Sequence, residues 1–248
     1  MKIFVLVFLT LTVVQLQIAA QDAKQIIQNV LDLQNGKSNQ AEMEMTLVRP
    51  KYTRSISMKS WSLGMDYFMI YITEPARDKG QVFLKRSNDM WNWMPNISRM
   101  IKIPPSMMAQ NWMGSDFTND DLVKMNSLVE DYEHKLTGEE TIEGYPCHII
   151  ELIPKPHSAV VWGKIMVWVA KDEYYQLRVE YYDEDFDLIN KMEASDVKQF
   201  DDRKLPSRLV MTPLNKKGQQ TIMNYKSISF SVDLPESFFS QQNMKRIK

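Results

Sequence analysis

The chain is poor in the residues on which most recognisable chemistry rests. It has one cysteine, three histidines and eight glycines among 248 residues. A single thiol makes no internal disulfide, so stability in an oxidising compartment has to come from packing. Cys147 itself reads as a small buried apolar residue. There is no phosphate-cradling glycine loop and no Gly-x-Ser-x-Gly turn for a serine nucleophile. His134, His148 and His157 fall in or beside separate strand segments, and no pair has the spacing of a His-Glu-x-x-His zinc motif. The formal net charge is only -1 at pH 7. Lysines and arginines are interspersed with acids, which argues against the broad basic face of a nucleic-acid binder. The pairs Asp120-Asp121 and Asp201-Asp202 read as a solvated helix start and a turn. No catalytic set, metal site or cofactor is therefore assigned.

Beyond the first twenty residues no apolar run is long enough to span a bilayer. At the N-terminus Lys2 precedes an uncharged apolar run from Ile3 to Leu16, and Ile18-Ala19-Ala20 leads into the polar Gln21. That order of charge, grease and small residues is the pattern of a secretion signal. The run is shorter than the ~20 residues a spanning helix needs, and no cysteine follows it to accept a lipid. Residues 1–20 are expected to be a signal peptide cleaved after Ala20. Residues 21–248 are then one soluble domain that works outside the cytoplasm.

Asp22 to Gln34 places Ile26, Ile27, Val30 and Leu31 on one helical stripe, and Asn35-Gly36 stops it. From there β-forming residues alternate with period two. A first series runs through Gln40–Val48, Tyr52–Leu63, Asp66–Thr73, Gln81–Arg86, Asp89–Met94 and Ser98–Ile103. After Pro104-Pro105 a second series follows: Leu128–Leu136, Cys147–Ile153, Lys164–Ala170, Gln176–Tyr182, Leu188–Phe200, Pro206–Thr212 and Gln219–Phe230. So many strands would curl as a single sheet, and the short connections leave no room for parallel crossovers. The expectation is a mainly β protein with few helices, an α+β arrangement in which a strongly curved antiparallel sheet forms a half-barrel or a barrel. Thr118-Asn119-Asp120-Asp121 and Pro235 to Phe239 read as short helical exceptions. Such helices suit the concave side, where apolar surface needs cover.

What the chain has in quantity is soft apolar side chains, with 18 Met and 6 Trp. Met43, Met45 and Leu47 share one face of a strand. Tyr67, Met69 and Tyr71 share one face of another, while Phe68, Ile70 and Ile72 share its second face. Trp91, Trp93 and Met100 precede a connecting segment that holds Met107, Met108, Trp112, Met113 and Phe117. For any single residue core packing is the simpler reading. The segment 104–117, however, is too apolar for a solvated loop and too irregular for a strand, and it suits a lid or plug over an apolar hollow. Met43, Met45, Leu47, Tyr67, Met69, Tyr71, Trp91, Trp93, Met100, Met107, Met108, Trp112, Met113 and Phe117 are the candidate lining or lid residues for a lipid. Burying a methylene contributes about 0.8 kcal/mol, so an acyl chain brings on the order of 10 kcal/mol to such a hollow.

The chain resembles the LolA-like periplasmic outer-membrane lipoprotein-sorting proteins. The resemblance rests on Glu42-Met43-Glu44-Met45-Thr46-Leu47, Pro75-Ala76-Arg77-Asp78-Lys79-Gly80, Trp91-Asn92-Trp93-Met94-Pro95 and above all Met113-Gly114-Ser115-Asp116-Phe117-Thr118-Asn119-Asp120-Asp121-Leu122. It implies an unclosed β-barrel of the LolA/LolB kind with helices over its mouth, enclosing an apolar cavity for acyl chains. It also implies a non-enzymatic periplasmic carrier for lipoprotein or other lipid acyl chains, expected to be monomeric. The implied partners are a membrane exporter or an outer-membrane acceptor, with no nucleic acid. The rival readings are an accessory subunit of an envelope transporter that carries no lipid, and an envelope hydrolase using one of the three histidines as its base.

Overall fold

The runs of period-two sequence build one antiparallel sheet. The structure, a computed structural model, describes residues 23–123 and 127–247; the expected signal peptide lies outside the described residues. The first series gives β1 (Ser38–Arg49), β2 (Tyr52–Leu63), β3 (Tyr67–Glu74), β4 (Val82–Arg86), β5 (Asp89–Met94) and β6 (Arg99–Lys102). The second gives β7 (Tyr132–Ile142), β8 (Tyr145–Pro154), β9 (Lys164–Ala170), β10 (Gln176–Tyr182), β11 (Leu188–Phe200), β12 (Arg203–Pro213) and β13 (Gln220–Phe230). Thirteen strands lie in the order β6-β5-β4-β3-β2-β1-β13-β12-β11-β10-β9-β8-β7.

Each series is a meander of hairpins, and the two are joined where β1 pairs with β13, with Met45 opposite Met223 and Val48 opposite Gln220. This pairing leaves β6 and β7 as the two free edges. They are consecutive in the chain, so the connection between them has to pass from one edge of the sheet to the other.

The sheet is curved, as its contacts require. Ile70 on β3 and Ile165 on β9 line one hollow, although β3 and β9 stand seven strand spacings apart in the order, about 34 Å if the sheet were flat. It does not close into a barrel. Both free edges carry charged residues, Arg99 and Lys102 on β6 and Glu133, Lys135, Glu139 and Glu140 on β7, which discourages edge-to-edge pairing.

The helix α1 (23–35) lays Ala23, Ile27, Val30 and Leu31 against the inner face of the second half of the sheet. It stops at Gly36, whose φ of 58° suits a residue without a side chain; the Gly36 amide donates to the Asp32 carbonyl at 2.9 Å. In the β6–β7 connection, α2 (Asn119–Val123) and α3 (Ser127–Glu130) follow two single 3-10 turns. The helix α4 (Gln241–Met244) and the turn before it differ from these. Phe239 and Met244 pack on the outer face of the first half, over Trp61, Met69, Val82 and Leu84.

The observed strands match the expected runs within a few residues, apart from the seventh. There the chain is helical over Ser127–Glu130, and the strand begins at Tyr132 and continues to Ile142. The exposed Glu139 and Glu140 of this edge strand hide the alternation that marks the others.

One buried ion pair fastens the connection to the sheet. Arg49, at the end of β1, lies 3.1 Å from the Asp116 carboxylate, with side-chain exposures of 9% and 3%. The Arg49 guanidinium also donates to the carbonyls of Gly114 at 2.7 Å and Gln220 at 2.9 Å, and Thr221 Oγ1 donates to Asp116 at 2.6 Å. Removing one member strands the other in a low-dielectric site. Arg49→Ala should therefore destabilise the fold by roughly 3–5 kcal/mol in urea unfolding. The double change Arg49→Met with Asp116→Leu should recover most of that loss; equal losses in the single and double variants would refute the role assigned to the pair.

Candidate functional site

Between the inner faces of the two halves of the sheet lies a hollow of about 280 Å³, close to the lower end of the ~300–1,000 Å³ typical of ligand pockets. Met43, Met58 and Ile70 line it from the first half, Leu209, Met192 and Ile165 from the second, and Met223 and Ile228 from β13 between them. The β6–β7 connection covers it with Trp112, Phe117 and Leu122, and α1 closes its flank with Leu31. Trp112 is 1% exposed and packs edge-on against Phe83, with ring centroids 5.3 Å apart.

Alternation along each strand decides which candidate residues reach the hollow. Met43, Trp112 and Phe117 line it. Met45 and Leu47 point the same way but are packed within the adjoining core, and Met107, Met108 and Met113 rest half-buried on that core. Tyr67, Met69, Tyr71, Trp91, Trp93 and Met100 lie on the opposite side of the sheet, beneath Phe238, Phe239 and Met244. It is the other face of β3, with Phe68 and Ile70, that turns to the hollow. Sequence reading missed Trp162, Tyr181, Leu209 and Tyr225 as lining residues. Period two identifies two faces on each strand, but only the C-terminal segment shows which face is covered from outside.

The hollow is polar at both ends. At one, Asn39, Ser60 and Ser62 stand on β1 and β2, where β1 begins and β2 ends. At the other, Asp120, Asp121, Tyr132 and Tyr181 come together. Asp121 ties the cover to the wall: its carboxylate accepts from the Trp162 indole N–H at 3.1 Å and from the Thr118 amide at 2.7 Å. Thr118 Oγ1 in turn accepts from the Asp121 amide at 3.1 Å, a reciprocal cap on the start of α2. Gly163 allows Trp162 this position, because a Cβ there would collide with the Asp183 carbonyl.

Loss of water around these groups shifts their proton equilibria. Burial pushes the Asp121 carboxyl upward against the lowering effect of its hydrogen bonds with Thr118 and Trp162. Burial likewise raises the phenols of Tyr132, Tyr181 and Tyr225. Two polar atoms of lining residues, Ser62 Oγ and Trp112 Nε1, are buried without a hydrogen-bond partner among the described residues.

The histidines do not converge. His134 is buried and bonds through Nε2 to the Leu128 carbonyl at 2.7 Å, fixing α3 to β7, and burial lowers its pKa. His148 stands on β8 opposite Glu139, and His157 lies in the turn after β8. Among the described residues no group of His, Cys, Asp and Glu is placed to hold a metal ion.

This architecture, an open antiparallel barrel with a covered apolar hollow, is the LolA-like fold. A DUF1329 family protein from Desulfovibrio piger ATCC 29098 superposes with a TM-score of 0.84 at 24% identity, covering 91% of this chain and 99% of its own. An outer membrane lipoprotein-sorting protein domain from Vibrio parahaemolyticus gives 0.81 at 25% identity, covering 92% and 100%. A LolA superfamily protein from Nitrosomonas europaea gives 0.76 at 22% identity, covering 89% and 98%. No curated protein matches. Residues 64–246 match a family model described as "Uncharacterized protein", and the chain belongs to that family.

The Asp121 tie makes a pH prediction. Its carboxyl holds a proton to higher pH in the folded chain than at the ordinary value of 3.8. As pH rises above that value the unfolded chain ionises first and is favoured by doing so, so this group's contribution to stability falls. Asp121→Asn lacks that titration and should gain on the wild type in urea unfolding as pH rises above 3.8. A difference independent of pH would contradict the assignment.

Proposed function

We propose that this protein is a periplasmic carrier, exported by its N-terminal segment, that takes acyl chains of lipoproteins or other lipids into the hollow and shuttles them toward the outer membrane. A membrane exporter is the proposed donor. The observation that carries the reading is an apolar hollow between the halves of an unclosed sheet, covered by the one connection that links the two free edges. A lining of Met, Leu, Ile and Phe gains free energy from methylenes without fixing a single ligand shape, and that suits a cargo which must later be released. Trp112, Phe117 and the Asp121–Trp162 tie belong to the cover, so movement of this connection gives the route in and out.

The same observation weighs against an accessory subunit that holds no lipid, since such a protein has no use for a lined hollow. The three dispersed histidines offer a hydrolase no converging base.

Native mass spectrometry of gently purified protein should reveal bound lipid, and a fluorescent fatty acid should displace it saturably. Met223→Trp, which fills the hollow, should weaken that binding by roughly 10-fold or more while the fold is kept, an overpacking cost of about 1–3 kcal/mol being tolerable. Absence of bound lipid together with absence of saturable displacement would overturn the proposal.

A further inference from the structure

A buried cation stands across the strands from Phe68, a residue that lines the hollow, and has no ion-pair partner among the described residues. Lys85 on β4 is 2% exposed. Its ammonium carries three donors, and the bond it makes is to the Met65 carbonyl at 2.5 Å. It forms no ion pair among the described residues; the acid that acts on it electrostatically, Asp66, is exposed on the turn between β2 and β3. A buried ammonium without a counter-charge is costly, and burial lowers its pKa from 10.5 to about 8.

Its place in the sheet gives that cost a purpose. Asn39, Ser62, Phe68, Lys85 and Met90 stand opposite one another on β1 to β5 and so form one cross-strand row. Asn39, Ser62 and Phe68 line the hollow at its neutral polar end. Ser62 Oγ, buried without a hydrogen-bond partner among the described residues, is separated from Lys85 by Phe68 alone, about 10 Å across two strand steps. Met65, which holds the ammonium, packs against the apolar cluster of the sheet's other half, so the site lies where the two halves meet. The far end of the hollow carries the carboxylates of Asp120 and Asp121.

We propose that Lys85, with Ser62, receives the anionic head of the bound lipid, a carboxylate or phosphate oxygen, at this end of the hollow. The inference rests on the carrier reading and adds an orientation. The head sits toward the β2–β3 turn, at the end of the hollow away from Asp120 and Asp121, and the chain runs toward Trp162 beside them. Ser62 Oγ donates to a second oxygen of the same head.

The test uses three probes on the full mature chain: palmitate, dioleoylphosphatidylglycerol, and methyl palmitate as an uncharged ester. Binding is read by native mass spectrometry and tryptophan fluorescence. Lys85→Met should weaken binding of the anionic probes by roughly 10- to 100-fold, the range for a hydrogen bond to a charged group, and leave methyl palmitate unchanged. Lys85→Arg should retain the preference for anions. Loss confined to palmitate identifies a carboxylate head and loss confined to phosphatidylglycerol a phosphate head. Anionic binding unchanged in Lys85→Met, with all three probes still bound, would overturn this inference and leave the carrier reading intact. Failure of every probe to bind the wild type would overturn the carrier reading itself.

Discussion

Pairing of the first strand with the last, β1 with β13, decides where the edges of the sheet fall. Had β1 paired only within its own meander, the chain would form two separate sheets with four free edges. Joined through β1 and β13 it forms one sheet whose two edges, β6 and β7, are neighbours in sequence. The connection between them then lies across the inner side of a curved sheet, and its apolar content follows from that position. Trp112, Phe117 and Leu122 sit where a solvated loop would carry polar residues. The Arg49–Asp116 pair and Thr221 hold this connection at the β1–β13 seam, so the join that creates the open mouth also anchors what covers it.

The second constraint is the distribution of apolar surface between the two faces of the first meander. β3 is apolar on both sides, and both sides are covered. Phe68 and Ile70 face the hollow, while Tyr67, Met69 and Tyr71 meet the C-terminal segment. In the second meander Cys147, Trp168, Tyr175 and Leu177 form a small cluster of their own. Methionine and tryptophan abundance thus serves two separate layers, of which the inner one meets the hollow.

Much of this was legible in the residues. Alternation set the strands, and the limits of Tyr52–Leu63, Asp89–Met94 and Leu188–Phe200 coincide with the runs read from sequence. The greasy connection and its helix start at Thr118 stood out because they broke the alternation. The lining was harder to read, because period two separates two faces without saying which is inside. That choice for β3 depends on Phe238 and Phe239, more than 160 residues downstream. Trp162 was silent for a similar reason: its partner Asp121 is distant in sequence, and only the folded chain brings indole and carboxylate together. Lys85 looks in sequence like any lysine near a strand end, and its burial becomes visible only once Met65 and Phe68 are in place.

We propose that the β6–β7 connection is a movable cover over the hollow and that an acyl chain is held beneath it. Hydrogen–deuterium exchange of the wild-type protein with and without palmitate tests this. Palmitate should alter exchange in residues 112–123 and add protection at the facing positions of β1, β12 and β13. Exchange altered only in the C-terminal segment on the outer face, or nowhere despite saturating palmitate, would contradict it.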